Sequence, residues 1–93
     1  MKLERNVIEE KLTQLPQWQL KDGEDAIVRE ITTADFVSAL EVVNTVGQKA
    51  EEMNHHPDIQ LSYGNVTITL STHSEGGVTE KDIELAKEIE KIK

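Results

Sequence analysis

The chain has 93 residues and carries 18 acidic against 10 basic side chains, a formal net charge of -8 that repels nucleic-acid phosphates and argues against direct nucleic-acid binding. It contains no cysteine, which excludes disulfides, thiolate metal sites and a thiolate nucleophile. The length predicts one domain over residues 1–93, and the lack of a signal-peptide pattern or a bilayer-length apolar stretch predicts a cytoplasmic protein with no membrane partner.

The first predicted elements are a helix and a hairpin. Apolar residues recur at helical spacing from Glu4 to Leu15, and Pro16 ends the pattern. Residues 17–21 alternate in polarity, residues 22–25 are turn formers, and residues 26–31 are rich in β-formers. We therefore expect an amphipathic helix followed by a β-hairpin.

A long amphipathic helix is predicted next. Thr32 and Thr33 are candidate N-caps, and the helix is expected to run to about Asn54. Pro57 restricts the residue before it to extended conformations, so His56 should lie in a non-helical turn. The apolar residues predicted to share the buried face are Phe36, Ala39, Leu40, Val43, Val46, Gly47, Ala50 and Met53.

A second hairpin is predicted from residues 59–63 and 66–73, with Gly64-Asn65 as its turn. Alternation along the second strand puts aliphatic side chains on one face. Hydroxyl side chains and His73 are then expected on the opposite face.

The last predicted helix follows a flexible connection of residues 74–77. Thr79, with Asp82 three residues later, forms a near capping box at its start. The order helix, hairpin, helix, hairpin, helix predicts an α+β fold, a four-stranded antiparallel sheet with helices packed on one face. So small a sheet has open edges that a second copy can pair with, so a homodimer or homotetramer is expected.

The chain has three histidines, and they flank the second hairpin. His55 and His56 precede it, and His73 ends its second strand. An imidazole ordinarily titrates near pH 6.5, which suits it to proton transfer at neutral pH. Because the hairpin folds back on itself, we expect the three imidazoles to converge on one site.

The chain carries Glu51, then His55-His56-Pro57 after three residues, Tyr63 after five more, His73 after nine and Asp82 after eight. In this register the chain resembles the pterin-4a-carbinolamine dehydratase family. The resemblance covers nearly the whole chain, from Trp18 to Asp82, and is especially close over residues 67–73. A carboxylate, two histidine positions, an aromatic residue and an aspartate at these spacings form a specific signature.

The resemblance implies a dehydratase that removes water from a 4a-hydroxytetrahydropterin to give a quinonoid dihydropterin, in tetrahydrobiopterin-type recycling. It implies no cofactor and no metal. The leaving hydroxide must be protonated and the adjacent ring N–H must lose its proton, so one acid and one base suffice. His55 and His73 are the implied pair. His56 completes the catalytic set by holding the substrate or the hydrogen-bond network.

Four further residues are implied to bind the pterin substrate. Glu51 lies one helical turn before His55 and is expected to accept hydrogen bonds from the amino and ring N–H edge of the pterin. Trp18 is expected near the pocket, and Thr72 is expected to offer backbone groups to the ligand. Asp82 either orients an imidazole or only caps the last helix.

Each site residue also has a purely structural interpretation. His55 and His56 are suited to a solvated helix C-terminus, and His73 to the polar face of a strand. Glu51 is suited to a solvated helical face, Trp18 is expected in the core in either case, and Tyr63 is expected to pack instead of reacting. Three histidines and a carboxylate are in principle a zinc set, although adjacent histidines chelate one ion awkwardly.

The alternative function is non-catalytic. Relatives of the resembled family are known as dimerisation cofactors of a transcription factor and as assembly helpers. Such a role would use exposed apolar residues of the central helix, for example Val37, and would not need the histidines.

Overall fold

The computed structural model describes residues 1–21, 23 and 25–92. In that part of the chain the elements are α1 (Arg5–Leu12), β1 (Gln19–Leu20), β2 (Ile27–Thr32), α2 (Phe36–Met53), β3 (Asp58–Ser62), β4 (Asn65–Leu70) and α3 (Glu80–Ile92). A single 3₁₀ turn, His73–Glu75, lies between β4 and α3. None of the described helices has the length and apolarity needed to cross a bilayer.

The strands form one four-stranded sheet in the order β1-β2-β4-β3, and every neighbouring pair is antiparallel. The apolar side chains of the central strand β4, Val66, Ile68 and Leu70, have no exposed surface. They belong to a core that also contains Ile83, Leu85, Ala86 and Ile89 of α3. The predicted α+β fold with an antiparallel four-stranded sheet is therefore confirmed.

The buried face of α2 is narrower than the sequence pattern predicted. Ala39, Val46 and Ala50 are buried, whereas Phe36 is 45% exposed and Leu40 is 40% exposed. The predicted face combined two adjacent stripes of the helix, and the core covers only one of them. The prediction of buried Phe36 and Leu40 is wrong for the single chain.

Both ends of α2 have local causes. Asp35, and neither of the predicted threonines, is the N-cap, and its carboxylate accepts a 2.8 Å hydrogen bond from the Ser38 N–H. This hydrogen bond lowers the pKa of Asp35. At the other end Asn54 adopts the left-handed conformation, with φ 52°, and the chain leaves the helix before Pro57, as predicted.

The second hairpin differs from the prediction at its turn and at the end of its second strand. Ser62 pairs with Asn65, so the two-residue turn is Tyr63-Gly64, with Gly64 at φ 75°. Strand β4 ends at Leu70, and His73 begins the 3₁₀ turn instead of ending the strand. Strand alternation therefore does not fix the direction of His73.

Residues 74–77, predicted as a flexible connection, belong to a closed loop. The Thr72 N–H donates to the Gly77 carbonyl at 2.9 Å, and the Glu75 N–H donates to the Thr72 carbonyl at 2.9 Å. Gly76 supplies the left-handed backbone that this closure needs, with φ 76°.

The first two elements are shorter than predicted. Helix α1 ends at Leu12, and the chain from there to Leu15 forms tight turns with hydrogen bonds between residues i and i+3. Strand β1 has 2 residues, paired with β2. Of the predicted turn at residues 22–25, Asp22 and Glu24 lie outside the described residues.

Lysine–glutamate pairs lie on the surface of α2 and α3, and one of them, Lys49 with Glu88, connects the two helices. Lys49 Nζ lies 3.2 Å from Glu52 Oε1 and 3.6 Å from Glu88 Oε1, and the Glu52 contact is the main reason that the pKa of Lys49 is raised. Lys91 Nζ donates to Glu88 Oε2 at 3.0 Å. Lys91, and then Lys49, lower the pKa of Glu88.

Candidate active site

The candidate site is built around Asp82, which has no exposed surface. Asp82 is the third residue of α3, and its Oδ2 accepts a 2.9 Å hydrogen bond from the backbone N–H of Thr79. Thr79 in turn accepts a 3.3 Å hydrogen bond on its Oγ1 from the Lys81 N–H. The predicted capping box at the start of the last helix is therefore present.

The other oxygen of Asp82 holds His55. The distance between His55 Nε2 and Asp82 Oδ1 is 2.5 Å, and the His55 side chain is only 11% exposed. Asn54 turns the chain out of α2, and the His55 N–H still bonds to the Ala50 carbonyl at 3.1 Å. These two constraints direct the His55 imidazole towards the first turn of α3.

Thr72 is the third component of this cluster. Its side chain is buried, and its Oγ1 donates to Asp82 Oδ2 at 2.9 Å and lies 2.7 Å from Thr79 Oγ1. Asp82 therefore joins the turn after α2, the end of β4 and the start of α3. The described contacts bring His55 and Thr72 to this carboxylate, and the convergence of the three imidazoles stays a prediction.

His73, the proposed partner of His55, is the residue after Thr72. Its side chain is exposed, and it makes no side-chain hydrogen bond within the described part of the chain. Because Thr72 is fixed by the Asp82 cluster and by the closed loop of residues 72–77, the backbone of His73 is fixed beside the same cluster.

His56 and Glu51 form a second imidazole–carboxylate pair. His56 Nε2 lies 2.5 Å from Glu51 Oε2, and the two side chains are 58% and 78% exposed. Glu51 lies one helical turn before His55, as predicted, but its carboxylate contacts His56. Both residues stay accessible to a ligand.

Trp18 lies in the core, away from the Asp82 cluster within this chain. Its indole N–H donates to Glu90 Oε2 at 2.9 Å, and the side chain is 3% exposed. Glu90 follows Asp82 by eight residues of α3, roughly 12 Å along a helix. The predicted proximity of Trp18 to the substrate has no counterpart in the contacts of the single chain.

Sequence reasoning missed Arg29, which completes the Trp18 contact. Arg29 is buried, and its Nε donates to Glu90 Oε2 at 2.7 Å. Its position between Ile27 and Ile31 on the core face of β2 was the available signal, since an inward charge on a strand needs a partner. The group stabilises the core and does not contact the Asp82 cluster through any hydrogen bond described.

Tyr63 also departs from its expected place, because it is 76% exposed instead of packed.

Within residues 1–21, 23 and 25–92, no group of three or more histidine or carboxylate side chains has a geometry that could hold a metal ion.

Comparison with known proteins agrees with the resemblance found in the sequence. A family model described as pterin 4 alpha carbinolamine dehydratase matches residues 1–92. The chain belongs to this family. The expected assignment to an enzyme family of pterin dehydratases is therefore confirmed.

Two relatives that carry the name pterin-4-alpha-carbinolamine dehydratase span most of the chain. The protein from Acidobacterium capsulatum is 47% identical over 85 residues, covering 91% of this chain and 90% of its own. The protein from Sulfolobus acidocaldarius is 42% identical over 92 residues, covering 99% of both chains.

Two solved structures have a similar fold. A crystal structure from Brucella melitensis, described as a transcriptional coactivator/pterin dehydratase, is 38% identical with a TM-score of 0.93 and covers 99% of this chain and 98% of its own. A pterin dehydratase-like protein, described as a RuBisCO assembly factor in the alpha-carboxysome, is 16% identical with a TM-score of 0.69 over 82% of this chain and 88% of its own. At that identity the second likeness concerns the fold alone.

Proposed function

We propose that this member of the pterin dehydratase family removes water from a 4a-hydroxytetrahydropterin to give a quinonoid dihydropterin, in tetrahydrobiopterin-type recycling in the cytoplasm. The chain acts as a single domain over residues 1–93 and uses no cofactor and no metal. The observation that carries the proposal is the 2.5 Å contact between His55 Nε2 and the buried Asp82 Oδ1. It supplies a held imidazole at a position that the family resemblance marks as catalytic.

The reaction needs one proton delivered and one proton removed. The C–O bond at the 4a carbon breaks, and the hydroxyl leaves as water after it takes a proton from a catalytic acid. The neighbouring ring N–H loses its proton to a base, and the electron pair of that bond forms the new C=N bond. No oxidant, reductant or second substrate is consumed.

In this proposal His55 and His73 are the proton-transfer pair. His55 is held by Asp82, whereas His73 is exposed on a fixed turn. The pair therefore combines one oriented imidazole with one accessible imidazole. Acid–base groups of this kind contribute about 10²- to 10⁴-fold each to a rate.

The remaining predicted site residues have different degrees of support. Glu51 and His56 are paired and accessible, which supports a role in holding the pterin edge. Asp82 has no exposed surface, so its part in the proposal is to orient His55 and not to contact the substrate. Trp18 and Thr72 stay predictions as substrate-binding residues.

The test of the proposed function is dehydration of a freshly generated 4a-carbinolamine. His55→Ala and His73→Ala should each lower turnover by at least about 100-fold. Lys87→Ala, on the exposed face of α3, is the matched control and should keep the full rate. Normal rates in both histidine variants would refute the proposal.

We also propose that the protein works as a homodimer or homotetramer. Strand β3 is an edge of the sheet over 5 residues, so its outer backbone groups can pair with another strand. Phe36, Val37 and Leu40 of α2 and Tyr63 of the hairpin turn add exposed apolar surface. Sedimentation at micromolar concentration should give a dimer or tetramer, and a strict monomer would contradict this part.

The second candidate function is binding or assembly without catalysis. It is favoured by the 64% exposure of Val37 and by the description of the Brucella melitensis relative as a coactivator as well as a dehydratase. A pull-down that is lost in Val37→Ser but retained when all three histidines are replaced would support it. If replacing the three histidines abolished the interaction with the partner, that result would count against it.

A further inference from the structure

A directed series of hydrogen bonds leads into Asp82. The Lys81 N–H donates to Thr79 Oγ1 at 3.3 Å, and Thr79 Oγ1 lies 2.7 Å from Thr72 Oγ1. Because Thr72 gives its one proton to a carboxylate, which can only accept, Thr79 must be the donor to Thr72. Thr72 then uses its proton to donate to Asp82 Oδ2 at 2.9 Å. Each hydroxyl has one proton to donate, so these contacts have one consistent direction from Lys81 to Asp82.

Two donors converge on the same carboxylate oxygen. Asp82 Oδ2 receives the Thr72 hydroxyl and the Thr79 N–H, both at 2.9 Å. The side chains of Thr72, Thr79 and Asp82 are 6%, 4% and 0% exposed, so bulk water does not compete for these contacts. Oδ1 is thereby left for His55, and an ionised carboxylate can only accept there.

This arrangement selects one tautomer of the His55 imidazole. Nε2 must carry the proton that it donates to Asp82 Oδ1, so Nδ1 of the neutral ring keeps its lone pair. Nδ1 of His55 has no hydrogen-bond partner within the described residues. Since no buried side-chain nitrogen or oxygen described there lacks a partner, Nδ1 must reach the molecular surface.

We infer that Nδ1 of His55 is the atom that exchanges a proton with the substrate, and that Thr72 and Thr79 are positioning residues that act through Asp82 to hold this tautomer. The inference rests on the proposed function and names the reacting atom within it. It also gives Thr72 a role other than the predicted one. The backbone N–H and carbonyl of Thr72 are already bonded to Gly77 and Glu75, and its hydroxyl is bonded to Asp82.

The proton balance is simple at this atom. As a base, Nδ1 of the neutral ring takes the proton of the substrate's ring N–H; as an acid, the ring starts as imidazolium and Nδ1 gives its proton to the leaving hydroxyl. Nε2 keeps its own proton, hydrogen-bonded to Asp82, in either direction. The imidazolium form that arises is stabilised by the buried carboxylate, as in other aspartate–histidine pairs. His73 supplies the opposite proton transfer in the same reaction.

The tautomer can be read directly by two-bond ¹H–¹⁵N correlation NMR of histidine-labelled protein without substrate, at a pH where the ring is neutral. The three histidines are assigned with single His→Gln variants. Wild-type His55 should show protonated Nε2 and unprotonated Nδ1. A protonated Nδ1 with an unprotonated Nε2 in the wild-type protein would overturn the inference, whether or not any variant folds.

Asp82→Asn is the sharpest variant. Its amide oxygen can still accept from Thr72 and Thr79, so the helix cap is kept, but its NH₂ would donate to His55 Nε2. The tautomer should then invert, and kcat should fall by about 10²- to 10⁴-fold with a smaller change in KM, as expected for a wrong tautomer. An inverted tautomer with normal kcat would overturn the inference.

Thr72→Val and Thr72→Ser form the matched pair. The valine variant removes the donor to Asp82 Oδ2 and should lower both the fraction of the Nε2–H tautomer and kcat, whereas serine should restore both. Equal behaviour of the two variants would count against the positioning role. Because the NMR readout needs no substrate, failure of this inference is distinct from failure of the proposed function, which a normal rate in His55→Ala would show.

Discussion

The protein has two imidazole–carboxylate pairs of equal length in contrasting surroundings. His55 with Asp82 and His56 with Glu51 are both separated by 2.5 Å. The first pair is nearly enclosed and its carboxylate has two further donors, while the second pair is largely exposed and has none described. Burial and added hydrogen bonds, and not distance, therefore distinguish the two pairs. The proposed function assigns catalysis to the enclosed pair and substrate binding to the exposed one.

The largest loss of stability is expected when the buried pair is broken. Asp82→Ala would remove the acceptor for His55, Thr72 and the Thr79 N–H together, and each buried donor left without a partner costs roughly 1–3 kcal/mol. Glu51→Ala, at the exposed pair, should change stability by only about 0.5 kcal/mol. Urea unfolding of both variants measures the difference. Equal losses would show that burial does not separate the two pairs.

The second prediction compares the two imidazoles by their kinetics. His55→Ala should lower kcat by at least about 100-fold, because it removes the proposed proton-transfer group. His56→Ala should mainly raise KM and leave kcat within about tenfold, as expected when substrate holding is lost. Steady-state kinetics with a freshly generated carbinolamine distinguish the two patterns. A larger kcat loss in His56→Ala would exchange their roles.

Local sequence signals account for much of the fold. The capping box at Thr79 and Asp82 and the helix end at Asn54 depend on neighbouring residues, so they were predictable. The contact between His55 and Asp82 spans 27 residues, and it arises from how α2, β4 and α3 pack. The family register indicated these residues as a site, but no local pattern gives their hydrogen bonds.

The wrong predictions share one physical cause. Phe36, Leu40 and Tyr63 were expected to be buried because they are apolar, yet apolarity does not say which stripe a core covers. His73 was placed on a strand face because alternation was extended beyond Leu70, where the backbone closes on Gly77 instead. In each case tertiary packing or loop closure, and not local preference, decides the outcome.

The two imidazole–carboxylate pairs should also differ in how salt affects them. In double-mutant cycles, the coupling of His56 with Glu51 should be at most about 1 kcal/mol, and it should fall further as ionic strength rises to about 1 M, where the Debye length is about 3 Å. The coupling of His55 with Asp82 should change little, because the surrounding protein excludes salt. A similar salt dependence in both cycles would contradict the view that one pair is enclosed and the other exposed.

The smallest expected effect concerns a third carboxylate, the exposed N-cap Asp35. Its pKa is lowered by the Ser38 N–H hydrogen bond, so its folded pKa lies below its unfolded value. The stabilisation is therefore present above the unfolded pKa of about 3.8 and is lost as pH falls through the folded pKa. Asp35→Asn keeps a capping oxygen without that titration, so its melting temperature should fall less between pH 5 and pH 2 than that of the wild-type protein, on the order of a degree or two. If the melting temperatures of the two proteins fell equally over this pH range, the titration would not belong to Asp35.

The most direct measurement of the central claim is a crystal structure with a dihydropterin bound in the assembled protein. In that structure His55 Nδ1 should lie within about 2.6–3.2 Å of a proton-exchanging atom of the ring or of a bridging water. His55 Nε2 should still contact Asp82, and His73 should lie on the other side of the ligand. A pterin bound away from His55 in every subunit would contradict the central claim.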